Sequence, residues 1–300
     1  MKVDSHVHFW PYQAQAYPWI SETMTVLRQD RLPQHFEALT GEAKPDAVVA
    51  VQARHHRDET EWLLALAAQT PMVQAVVGWA DFSSPDATHW MSHWCSNPAF
   101  KGLRHLLQDE PDVACWVQQP QVHACMQWLQ QKGLVFDVLV FEHQMAEVAS
   151  FCRQHDQHLI VLDHLGKPQG RASDKNQVWR SPWHAALQTL AAMPHVVCKL
   201  SGLVTQTDVT DPSPLTERER DWAMACMDVA LEVFGPHRLL YGSDWPVCEL
   251  ACSHDQWLEW AKAWARSRLS QDEQHLFWGD NASRCYGFTG RQLSVAEVSA

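Results

Sequence analysis

Two histidines one residue apart stand near the start of the chain, in Asp4-Ser5-His6-Val7-His8. Successive side chains of an extended strand point to opposite faces, so His6 and His8 share a face. Two imidazoles aimed at one point suit a divalent metal ion or the polarisation of a carbonyl. A third histidine, His164, follows the apolar run Leu159–Leu162 and precedes the turn Leu165-Gly166-Lys167-Pro168. Towards the other end, Tyr241-Gly242-Ser243-Asp244-Trp245-Pro246 sets a carboxylate just past the last apolar run. A carboxylate there can take a proton from water or ligate a metal. Each signal alone has a plainer reading: a core His-x-His, a histidine capping a loop, an aspartate capping the next helix. Together they are stronger. Residues so far apart in sequence, each at the end of an apolar run, converge in a closed barrel of parallel strands.

The rest of the chain supplies such a frame. Short runs rich in Val, Leu and Ile recur at Lys2–Asp4, Ala47–Val51, Val73–Gly78, Gly102–Arg104, Leu134–Val140, Leu159–Leu162, Val196–Leu200 and Leu239–Tyr241. Hydrophobic residues in consecutive positions suit parallel strands covered on both faces. The intervening stretches carry helical periodicity, as in Glu59–Ala68, Trp222–Phe234 (stopped by Gly235-Pro236) and His254–Ser267. Eight runs alternating with helices predict an α/β fold, a (β/α)8 TIM barrel with residues 1–300 as a single domain. Two stretches break the rhythm. Trp10–Pro33 follows the first strand and Thr205–Glu219 follows the seventh. Loops there either shape a pocket or are surface excursions.

Composition narrows the function. Of 300 residues, 46% are hydrophobic and 19% charged, as in an ordinary globular protein. A formal net charge of -12 argues against nucleic acid or an anionic membrane as main partner. The start of the chain carries no apolar leader and no run is long enough to cross a bilayer, so a cytoplasmic protein is expected. The 9 cysteines include no Cys-x-x-Cys pair and read as buried thiols.

The pattern resembles the amidohydrolase superfamily, of the amidohydrolase 2 type, and within it the sugar-lactonase branch that holds the L-fuconolactonases. The stretches that carry the likeness are Asp4–Trp10, Tyr17–Ile20, Val51–Arg54, Lys101–His105, Phe136–Val138, Leu162–Pro168, Cys198–Gly202 and Gly242–Pro246, with Trp278–Ala282 and Tyr286 at the end. They run in order along nearly the whole chain. The resemblance implies a hydrolase that opens a sugar-acid lactone, L-fuconolactone or a related aldonolactone, with water as the attacking group. His6, His8 and His164 would surround the lactone carbonyl or a metal near it, and Asp244 would be the base. Two metals are not expected, because Arg104-His105 provides no bridging glutamate or lysine and Asp137 stands where a histidine is needed. The remaining choices are no metal or one divalent ion, such as Zn2+, held by His6, His8, His164 and Asp244.

A polyhydroxylated substrate requires donors, acceptors and an apolar face. Gln52, Arg54, Arg104, His105, Gln108 and Trp245 lie at or past strand ends and are the binding candidates. Arg54 and Arg104 could instead pair with Asp58 or Asp109 at the rim. Trp10 and Trp19 could stack on a sugar or simply pack. Lys199 reads as a salt-bridging lysine inside the barrel, and Asp137 as a structural partner of Arg104 or a neighbouring strand. The rival functions are a metal-dependent decarboxylase of the same superfamily, a hydrolase of another ester or lactone, and a non-enzymatic sugar or metal binder. A homodimer remains open.

Overall fold

The structure is a computed structural model that describes residues 1–40, 44–169, 175–206 and 215–288. Eight strands form one sheet: β1 (Val3–Val7), β2 (Ala47–Val51), β3 (Val73–Gly78), β4 (Phe100–His105), β5 (Val135–Val138), β6 (Ile160–Leu162), β7 (Val196–Leu200) and β8 (Leu239–Tyr241). They pair in parallel in chain order, and helices cross between them. This is the expected (β/α)8 barrel.

Alternation along each strand divides the apolar core in two. Val48 and Ala50 face the helices, whereas Ala47, Val49 and Val51 face the barrel axis with Ala75, Val77, Val161 and Leu240. The closing helix Asn281–Tyr286 caps this inner layer from below, with Ala282, Cys285 and Tyr286 packed into it. Above the apolar layer the interior becomes polar, and that change of chemistry marks the site.

Closure is made by main-chain bonds beyond the end of β8. Asp244 N–H donates to His6 O at 2.9 Å, and His8 N–H donates to Trp245 O at 2.7 Å. The Asp4 carboxylate adds a stitch by accepting from the amides of His6 (3.2 Å) and Ser243 (2.9 Å).

Helix ends follow local rules. Arg57–Gln69 and His254–Arg268 match the expected stretches with small extensions. The helix Glu217–Phe234 begins earlier than its apolar periodicity, because Thr216 and Glu219 form a reciprocal capping box. The first long loop is a packed unit. Trp10 and Arg31 exchange main-chain bonds at 2.8 Å, and Trp10, Tyr17, Ile20 and Leu27 bury one another. Of the second loop, residues 207–214 lie outside the described residues. Among the described residues, no helix is long and apolar enough to cross a membrane.

Candidate active site

The polar upper layer gathers the four residues singled out by type and spacing. Asp244 Oδ1 lies 3.4 Å from His8 Nε2, 3.8 Å from His6 Nε2 and 3.9 Å from His164 Nε2. His6 Nε2 and His8 Nε2 are 3.2 Å apart. All four side chains are buried.

Each ring is aimed by the bond on its other nitrogen. His8 Nδ1 sits 2.8 Å from Val51 O. A carbonyl only accepts, so Nδ1 carries the proton and Nε2 presents a lone pair to the centre. His164 Nδ1 bonds Ser201 Oγ at 2.9 Å, which turns its Nε2 inward as well. His6 Nδ1 faces Lys199 Nζ (3.2 Å) and Asp163 Oδ1 (3.4 Å). Gly202, just past β7, has φ +63°, and a Cβ there would strike the His164 ring, so only glycine lets the chain pass this close.

Beneath the rings lies a buried ionic network. Lys199 Nζ bridges Asp137 Oδ2 (2.6 Å) and Asp163 Oδ1 (3.1 Å), the salt bridge expected of it inside the barrel. Asp137 is thus the partner of Lys199 on β7, not of Arg104. Arg104 reaches Asp163 Oδ2 at 3.0 Å and His6 Nε2 at 3.2 Å through Nη1. Its Nε and Nη2 bond Gln52 Oε1 (3.1 and 2.8 Å), and Nη2 also donates to Gln52 O. Two lysine and arginine cations thus face two aspartates.

The binding candidates divide. Trp19, Arg104 and Gln108 line a cavity of about 180 Å³ together with His8, His164 and Asp244. That is smaller than the roughly 300–1,000 Å³ typical of drug-sized ligands, and it suits a single small ring. Gln52 is wholly buried and holds Arg104. His105 stacks on Trp116 (4.4 Å between centroids) and bonds Glu110 at 2.6 Å. Trp245 packs between Phe9 and Phe36, and Arg54 lies over Tyr17 at 5.4 Å. These last four do not line the cavity. Trp10 is packing too, whereas Trp19 is pinned at the mouth by Nε1 donating to Ala53 O at 2.8 Å. Reading the sequence missed Asp163, Ser201 and Lys167. The Asp163-His164 pair was the one available signal.

Residues 3–288 match the family model described as amidohydrolase. The chain belongs to the amidohydrolase family. Among this amidohydrolase's relatives, an L-fucono-1,5-lactonase of Burkholderia multivorans is 46% identical over 286 residues, covering 95% of this chain and 96% of the relative. An L-fucono-1,5-lactonase of Burkholderia ambifaria is 33% identical, covering 95% of each. A crystal structure of a Burkholderia multivorans amidohydrolase with bound Zn superposes with TM-score 0.90 at 45% identity, covering 96% of this chain and 99% of that one.

Electrostatics of the amidohydrolase centre follow from burial. Desolvation pushes His6 well below its ordinary value, against the pull of Asp163 and with the help of Lys199. It lowers His164 to about 4, with Asp244 and Asp163 opposing. Both rings are therefore neutral near pH 7, the form that ligates metals. Burial works against the charge of Asp244, but the surrounding His164, His8 and His6 outweigh it and keep the carboxyl well below the usual carboxylate range. Three imidazole nitrogens and one carboxylate oxygen make a donor set for a single divalent ion. A tetrahedral ion at 2.0–2.1 Å spaces its ligands roughly 3.3–3.4 Å apart. The contacts of 3.2 and 3.4 Å lie close to that spacing, and those of 3.8 and 3.9 Å need only a small contraction. His6, His8 and Asp244 offer ligand atoms that all lie within 4.8 Å of one another and fit such an ion, and His164 Nε2 stands 3.9 Å from the same Asp244 oxygen.

Proposed function

We propose that this amidohydrolase is a carboxylic ester hydrolase that opens a sugar-acid lactone, L-fucono-1,5-lactone or a related aldonolactone, to the free acid. The observation that carries the reading is Asp244 Oδ1 within 4 Å of three imidazole nitrogens, with Asp244, His8 and His164 lining a small cavity. The 46% identity to a relative named for this reaction supports the substrate class.

His6, His8, His164 and Asp244 would hold one divalent ion of the zinc kind. When bound, such an ion polarises a carbonyl and makes water more acidic. The protein's own groups account for the remaining chemistry. Asp244, ionised and beside the centre, accepts the proton of the attacking water as its oxygen bonds to the lactone carbonyl carbon. The bond from that carbon to the ring oxygen then breaks. Asp244 passes that proton to the ring oxygen, which becomes a hydroxyl, and the carbonyl carbon ends as a carboxylic acid whose remaining water-derived proton is released to solvent, leaving the carboxylate. The neutral His6 and His164 rings do not compete with substrate as buried cations. The Arg104–Asp163–Lys199 network holds His6 in place from below. A cytoplasmic setting agrees with nine cysteines that are all unpaired.

Proton release measured in a pH-stat on a panel of aldonolactones, with metal content assayed in parallel, tests the reading. Hydrolysis of the six-membered fuconolactone, lost with chelation and regained with zinc, is expected. Metal-replete protein inert towards every lactone in the panel would end the proposal.

A further inference from the structure

We propose that Lys167 binds a hydroxyl oxygen of the sugar-lactone ring and so discriminates sugar lactones from unsubstituted ones, a specificity role that rests on the hydrolytic reading above.

The first observation is the backbone. His164, Leu165, Gly166 and Lys167 have φ of 52°, 55°, 67° and 50°. Four consecutive left-handed residues, three of them not glycine, are uncommon, and such conformations concentrate where function demands them. Placing His164 alone does not require the turn to continue. With close to three residues per turn, positions 164 and 167 return to the same side. His164 and Lys167 both line the cavity, while Leu165 enters the core and Gly166 lies against Met145. The left-handed turn therefore delivers two side chains to the mouth.

The second observation concerns donors. Among the described residues that line the cavity, Arg104 and Lys167 are the lysine or arginine cations. Arg104 has five N–H groups. Four of them are held by groups outside the centre, Gln52 Oε1 twice, Gln52 O and Asp163 Oδ2, and the fifth faces His6 Nε2. Arg104 is thus chiefly a framing group. Lys167 differs. Its ammonium has three hydrogens, and among the described residues one goes to Gln108 Oε1, with the Phe141 ring 5.1 Å away. The Gln108 bond anchors the ammonium at the cavity wall and uses one of its three hydrogens. Gln108 also lines the cavity, so the pair presents an anchored cation beside an amide. A hydroxyl oxygen is the chemistry such a pair recognises on a polyhydroxylated ring.

The test compares Lys167→Asn and Lys167→Met with the wild type, on L-fucono-1,5-lactone and on δ-valerolactone, which has the same ring without hydroxyls. Asparagine tolerates the left-handed backbone, so that variant separates a lost ammonium from a disturbed turn. Loss of one charge-assisted bond predicts a KM for the sugar lactone raised roughly 10- to 100-fold in both variants, with kcat changed only a few-fold. On δ-valerolactone, kcat/KM should stay within about threefold of wild type. An unchanged KM for the sugar lactone would overturn the assignment. An equal loss on both lactones would also overturn it, since Lys167 would then act on the reacting carbonyl or on the frame. Wild-type turnover of the sugar lactone in the same assay reports on the hydrolytic reading separately, so a change confined to the variants concerns Lys167.

Discussion

The amide of Asp244 donates to the carbonyl of His6 at 2.9 Å, and this bond both helps to close the barrel and aims the carboxylate at the histidines. Position is set by the main chain and charge by the side chain, so the two can be separated. Asp244 also has φ +59°, a conformation that asparagine accepts as readily as aspartate. Asp244→Asn should therefore keep the fold while removing the base. A fall in kcat of about 10²–10⁴-fold is expected, with a melting temperature close to wild type. Steady-state rates and thermal circular dichroism check both halves. Turnover close to wild type would show that the proton goes elsewhere.

Lys199 is fully buried between Asp137 and Asp163. Burial, reinforced by the Asp163 carboxylate, raises Asp137 to about 7 even with Lys199 beside it. Lys199→Met would leave two carboxyls sharing an apolar shaft without their bridging cation. Breaking a buried pair in this way costs about 3–5 kcal/mol. Urea unfolding at pH 7 should show a loss of that order. The double variant Lys199→Met/Asp137→Asn should recover part of it, because one uncompensated carboxyl is then gone. No recovery would mean that the cost comes from packing and not from charge.

Strand positions were legible because parallel strands buried on both faces leave runs of Val, Leu and Ile that polar turns interrupt. The four central residues were legible because each follows such a run. The direction in which His6 and His8 point was not. Val3 faces the barrel axis, so unbroken alternation would turn residues 6 and 8 outward. A register shift between Asp4 and Val7 in the pairing of β1 with β2 reverses the parity, so Val7 faces the helices and the histidines face in. A bulge of this kind leaves no residue signature. The binding candidates fared less well for a related reason. His105 ends β4 and Trp245 lies just past β8, but neighbouring aromatic rings claim their side chains, and proximity in sequence to a strand end says nothing about that competition. The left-handed turn at 164–167 was also invisible, since Leu165 and Lys167 are not residue types that announce positive φ.

Gly202 offers a direct test of the packing around His164. Its φ of +63° disfavours any side chain, and an added methyl would meet the His164 ring. Gly202→Ala combines backbone strain with overpacking, each costing about 1–3 kcal/mol. A drop in stability of a few kcal/mol in urea unfolding is expected, together with a drop in kcat as the ring is displaced from Asp244. A variant that is destabilised yet fully active would show that the position of the His164 ring matters little to turnover.

Glu59 gives the fold a pH dependence that can be isolated. It is 1% exposed, and its Oε2 accepts from the amides of Ala53 (2.9 Å) and Arg54 (3.0 Å), pinning the loop after β2. Burial dominates and raises its pKa from the ordinary 4.5 to about 7, although the two amides pull the other way. Below pH 4.5 both folded and unfolded chains hold the proton. Between 4.5 and about 7 the unfolded chain releases it while the folded chain keeps it, so stability from this group falls as pH rises through that window. Above about 7 the contribution is flat. At about 1.4 kcal/mol per pH unit, the fall is on the order of 3 kcal/mol. Glu59→Gln retains an oxygen for the two amides and cannot titrate. Its unfolding free energy between pH 5 and pH 7.5 should therefore decline less than that of the wild type by about that amount. Parallel curves for the two proteins would show that Glu59 is ionised in the folded state throughout, with the two amides prevailing over burial.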